Sequence, residues 1–137
     1  MTEFPTPPDI EALALDVLRH YMPGEAEYVV SPQRDWNAKL PSVVVTRTGG
    51  VTRDPRVDHA VISVNVFHST RKGASDLARR VQVKFFQAAR DGFFSDEGVW
   101  SAFETIKSPV PERDGLSGKH PNSFMFDATY DVWARSR

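Results

Sequence analysis

The chain has 137 residues, 40% hydrophobic and 26% charged, a composition too apolar for a disordered protein and fitting one domain able to bury roughly 68% of its unfolded surface. Seventeen Lys and Arg against eighteen Asp and Glu leave a formal charge of −1, so no whole-molecule field draws it to nucleic acid or anionic membrane. The absence of cysteine excludes disulfide frameworks, thiolate zinc sites and cysteine nucleophiles. Neither a basic, apolar leader nor a run of about 18 apolar residues is present, so neither a secretion signal nor a membrane span is expected.

The first predicted element is a helix. Thr6 is a candidate cap, Pro7 and Pro8 suit a first turn whose amides lack partners, and Asp9 meets the positive end of the dipole. Ile10, Leu13, Ala14, Val17, Leu18 and Tyr21 follow helical spacing up to a stop at Pro23-Gly24. Tyr28-Val29-Val30 reads as a short strand, and Ser31 to Lys39 as a loop carrying Trp36.

Val43 to Thr48 is rich in β-formers and ends at Gly49-Gly50, which supplies positive backbone angles for a turn. About seven polar or turn-forming residues before Val57 predict a hairpin with a projecting arm in place of a tight two-residue turn. In the returning strand Ala60, Ile62, Val64 and Val66 share one face, and His59, Val61, Ser63, Asn65 and Phe67 the other. Ala74, Leu77, Ala78, Val81, Phe85, Ala88 and Ala89 then form the stripe of a second helix ending at Asp91-Gly92. Phe93-Phe94 and a turn lead to a strand over Val99 to Lys107, a loop punctuated by Pro109, Pro111, Gly115, Gly118 and Pro121 follows, and a last strand runs from Ser123 to about Ala134.

This order predicts a single α+β domain over residues 1–137: an antiparallel or mixed sheet of four to five strands, two helices packed on one face, and the hairpin arm. Val61, Phe67, Met125 and Trp133 fall on the face away from the helices, where intramolecular cover is missing. That surplus points to another subunit as the cover, with scattered surface residues as the plainer alternative.

No reaction chemistry emerges. His59 and His68 are nine residues apart in one strand and face opposite ways, His20 sits near a helix end, and His120 lies in a loop, so no shared metal is expected. Asp127 and Asp131 share a face but stand about 13 Å apart, too far for one cation or a paired acid and base. Asp54 and Asp58 are expected to pair locally with Arg53 and Arg56 or to stay solvated. The serines lack a nucleophile-elbow context, and no lysine follows Gly49-Gly50 as in a phosphate loop. No catalytic residue, cofactor or metal is assigned. Arg79, Arg80, Lys84 and Arg90 on the second helix invite a nucleic-acid reading, against which Asp76 is placed to pair with Arg80. Arg47, Arg53 and Arg56 on the hairpin suit partner contacts through their planar donor forks, or a plain solvated loop.

The stretch Leu40 to Arg47 with Gly49-Gly50, the strand Ala60 to Phe67, the helix bearing Ala74, Leu77, Ala78 and Val81, and the closing strand that ends Tyr130 to Arg135 together resemble the small tail-terminator, or tail-completion, proteins of long-tailed bacteriophages. Head-completion and neck proteins have similar sizes and remain the alternative, followed by a nucleic-acid module using residues 74–90 and a small-molecule enzyme on an α+β scaffold. The resemblance implies a homo-oligomeric, six-membered ring at the head-proximal end of the virion tail, assembled in the host cytoplasm. Its partners would be the major tail tube protein and the head connector or stopper, with genome DNA passing through unbound. It implies no membrane contact and no catalysis. Candidate interface residues are Arg47, Arg53 and Arg56 on the arm, the aromatics Trp36, Phe93 and Phe94, and the strand-face residues Phe67 and Trp133.

Overall fold

A computed structural model describes residues 6–30, 39–111 and 123–137. Trp36, His120 and most of the Pro/Gly-rich loop after Pro111 lie outside the described residues. Helix α1 spans Ile10–Tyr21 and is capped by Asp9, whose carboxylate accepts from the Ala12 amide at 3.1 Å. The expected cap, Thr6, lies too far upstream: Thr6 and Pro7 each precede a proline, which disfavours helical backbone there, so the helix starts only after Pro8. Helix α2 spans Arg71–Asp91, capped by the Thr70 hydroxyl on the Gly73 amide at 3.0 Å and closed by Gly92, whose φ of 64° lets its amide reach back to the last carbonyls.

Six strands form one mixed sheet in the order β1-β2-β3-β6-β5-β4: β1 Glu27–Val29, β2 Ser42–Asp54, β3 Val57–His68, β4 Phe94–Ser95, β5 Gly98–Pro111 and β6 Phe124–Arg135. Only β1 pairs in parallel, with β2. The count exceeds the expected four to five through the short edge strands, of which the two-residue β4 carried no period that a sequence could display.

The β2–β3 hairpin departs from expectation in its connection. β2 runs on through Gly49-Gly50 to Asp54, and only Pro55 and Arg56 separate it from β3, so the turn is tight. The pairing shifts just before the glycines, with Thr48 the extra residue of a bulge between Arg47 opposite Ile62 and Gly49 opposite Val61. β3 in turn pairs with β6 over its whole length, so the hairpin lies in the sheet and does not project as an arm. Gly50 has φ of 103°, and a Cβ there would run into the His59 carbonyl and stand 2.6 Å from Ala60 Cα. Gly50→Ala is therefore expected to cost about 2 kcal/mol or more. Gly49→Ala, whose nearest neighbour is Val61 Cβ at 3.8 Å, should stay within about 0.5 kcal/mol. Equal urea midpoints for the two variants would refute the close approach of β3 as the reason for glycine at position 50.

Both helices cover the same sheet face. Ala60, Ile62, Val64 and Val66 of β3 and Phe126, Ala128, Tyr130, Val132 and Ala134 of β6 point into this core, matching the alternation of the sequence. At its β5 side Phe85, Trp100, Phe103 and Tyr130 pack ring on ring, with centroids 4.7–6.1 Å apart. The buried Trp100 indole donates to the Phe85 carbonyl at 3.0 Å, so the largest core side chain also fixes α2 to β5.

Candidate interaction surface

The nominated residues separate into two groups. Arg47, at the β2 bulge, turns inward: its guanidinium grips Asp58 with two bonds of 2.6 and 2.9 Å and donates to the Gly49 carbonyl at 3.1 Å. Its backbone amide donates to Glu11 of α1 at 2.9 Å. Asp58 is 1% exposed and also accepts from the Thr52 hydroxyl at 2.9 Å. Burial pushes its carboxyl upward, but hydrogen bonds from Arg47 and Thr52 and the Arg47 charge outweigh this and hold it below the ordinary carboxylate range. Arg47 is thus an internal tie of the hairpin and not a free partner contact. Asp58 pairs with it and not with Arg53 or Arg56: it is buried opposite Thr52, on the core-facing side of β3 where the Arg47 guanidinium reaches it. Asp54 accepts the Arg56 amide at 2.8 Å and shapes the turn.

Phe67 and Phe93 are also removed from the interface set. Phe67 lies on the face away from the helices yet is 2% exposed. Phe93 follows the α2 cap, is half-buried against the core, and meets the rings of His20 and Tyr21 at 5.3 and 5.9 Å.

The remaining described candidates gather at one end of the sheet, on the side away from the helices. Ladder register sets Val57 opposite Arg135, Arg135 opposite Val99 and Val99 opposite Phe94, a row across four strands whose side chains share one face. The next row holds Val51, His59, Trp133 and Ala102. Trp133 stacks on the His59 ring at 4.5 Å with the planes 2° apart, and His59 Nε2 is 2.8 Å from Asp131 Oδ1. Arg137 lies 4.7 Å over the exposed Phe94 ring and 3.2 Å from Asp96. Arg53 and the turn residue Arg56 stand exposed beside this end. Ser136 binds the termini to the turn, its amide donating to the Arg56 carbonyl at 2.9 Å and its hydroxyl lying 3.1 Å from the carbonyls of Thr6 and Pro55.

Arg135, Arg137, Val51 and Val57 belong to this surface and were not singled out from the sequence. The signal for the first two was visible: arginines immediately past Ala134, the last core position of β6. Farther along, the same face is polar, with Lys107 on Asp127 at 2.6 Å and Ser63 on Asp127 at 3.3 Å. The exposed apolar groups are densest at the first end, while Val110, opposite Asp127, is also exposed farther along.

The basic side of α2 is largely neutralised. Asp76 takes Arg79 and also Lys72 at 3.5 Å, Arg80 reaches Glu25 at 2.8 Å in place of Asp76, and Arg90 lies 3.6 Å from Asp91. Among the described residues no group of three or more His, Asp or Glu side chains is placed to hold a metal ion, and no helix is long and apolar enough to cross a membrane.

No family model matches the sequence, and no curated protein matches it. One solved chain, 15% identical, aligns over 90% of this chain and 89% of its own with a TM-score of 0.36, too low to bear on function. Another, from the virion of a native gene transfer agent (GTA) particle, is also 15% identical and aligns over 93% of this chain and 95% of its own with a TM-score of 0.57, so the two chains have a common fold.

Proposed function

We propose that the protein is a non-catalytic structural subunit of a phage-type virion, and that within it the chain acts as the tail terminator. Copies close into a ring, six-membered on the resemblance, which caps the finished tail tube, stops its polymerisation and presents its other side to the head connector, while genome DNA passes through unbound. The observation that carries this reading is the likeness to a chain of the GTA particle virion, which runs nearly end to end in both chains. It agrees with the resemblance carried by Leu40 to Arg47, Ala60 to Phe67 and the closing aromatic strand. Ring closure needs heterologous contacts between different patches of identical subunits.

The test is removal of the chain from a particle-producing strain, with electron microscopy of the products. The expected result is unjoined tails of uncontrolled length, rescued by the wild-type chain, and a native mass of purified tube ends raised by six copies. Tails of normal length on particles with leaking heads would assign the chain to the neck instead. Particles that assemble normally without it would end the virion reading altogether.

A further inference from the structure

We propose that the arginine-flanked end of the sheet face opposite the helices docks an acidic, partly apolar surface of a different protein chain. The inference deepens the assembly role above and rests on it only in taking that partner to be another particle component. Val51, Val57 and Phe94 are 55%, 48% and 56% exposed, and the register rows bring them to one face with Trp133 between them. Apolar surface collected in this way gains roughly 25 cal/mol per Å² when covered, and aromatic and arginine side chains are the usual anchors of protein interfaces.

Charge specifies the partner. Arg53, Arg56 and Arg135 have no ion-pair partner among the described residues, whereas Arg79, Arg80 and Arg90 of α2 each have a carboxylate. A guanidinium fork is matched by a carboxylate, bidentately where the planes align. Nucleic acid fits less well, because the valines and Phe94 offer nothing to a phosphate backbone. A second copy docked face to face is also a poor match, because on its outer sheet face Asp127 and Asp131 are already held by Lys107 and His59.

The experiment places a benzophenone-bearing amino acid at Val57 in particle-producing cells, in the wild-type background and with Arg56→Glu plus Arg135→Glu. The expected crosslink joins Val57 to an Asp- or Glu-rich peptide of a different chain and falls at least tenfold in the charge-reversed protein. Far-ultraviolet circular dichroism checks that the variant is folded. Should it not fold, Arg56→Gln plus Arg135→Gln serves in its place, with an expected loss of about threefold from the removal of charge-assisted bonds. A crosslink to a second copy, a crosslink unchanged by both variants, no crosslink, or retention of a 20-base-pair DNA duplex through these arginines would each overturn the proposal. Particle content is measured in the same cells. Absence of the wild-type chain from purified particles defeats the virion reading, while the crosslinks still decide the surface by themselves.

Discussion

Arg47→Met is expected to destabilise the protein by about 3–5 kcal/mol at pH 7 and to do so much less near pH 4. The loss comes from Asp58, which is 1% exposed and would keep only the Thr52 hydroxyl as a side-chain partner. The remaining solvent access of the Arg47 side chain, 30%, favours the lower half of the range. In the wild type the folded carboxyl titrates below its unfolded value of about 3.9. The pair's contribution is therefore complete above that pH and is lost as pH falls through the lower, folded value. In the variant burial dominates and the folded carboxyl titrates above 3.9. Its penalty is full at neutral pH and is relieved as acid protonates the buried group. Urea unfolding at pH 7 and pH 4 measures both limits, and an equal deficit at the two pH values would place the loss in packing alone. Replacing both partners, as Arg47→Met with Asp58→Leu, should recover most of the stability, since a buried pair is costly to halve but not to remove.

Trp100→Ala should cost about 5 kcal/mol, the upper end for an aromatic truncation, because it removes more than volume. The indole is fully buried against Phe85 and Phe103, and its N–H is bound to the Phe85 carbonyl of α2. Truncation leaves a cavity where helix and sheet meet. Trp100→Phe fills most of that space and loses only the hydrogen bond, for about 1–2 kcal/mol. Domains of this kind are stable by about 5–15 kcal/mol, so the alanine variant should show a greatly lowered urea midpoint and a weakened near-ultraviolet signal while the phenylalanine variant stays folded. A Trp100→Ala midpoint within experimental error of wild type would contradict the placement of this ring at the centre of the core.

The elements were legible where the sequence carries a period. β3 alternates along its length, and α2 keeps a seven-position apolar stripe, so the faces of both follow from residue order alone. The hairpin differs from expectation because Gly49-Gly50 has two physical uses, a turn or a close approach of backbones within a strand, and the contact of β3 with Gly50 selects the second. Arg47 was misjudged for a related reason. Its partner lies eleven residues away across a ladder whose register the bulge shifts, and a local reading offered the nearer Arg53 and Arg56 to Asp58.

The candidate surface was legible in part. Arg53, Arg56, Phe94 and Trp133 were singled out by residue type, but they come from four separate strands or turns. Only the pairings of β2 with β3, β3 with β6, β6 with β5 and β5 with β4 bring them to one end of the sheet. The same pairings add Arg135 and Val57 and leave Phe67 in a buried part of the outer face.

What the amino-acid sequence by itself determined was the α+β class, the two amphipathic helices, the inward positions of the long strands, and a composition without thiol or concentrated charge. These follow from periodicity and residue chemistry, which act over a few neighbouring residues. Only the tertiary structure decided which arginines are spent inside and which remain at the surface, and which apolar residues of the outer face meet. Ladder register and close backbone approach join residues eleven to seventy-odd positions apart, and one bulge changes the partners of every side chain beyond it.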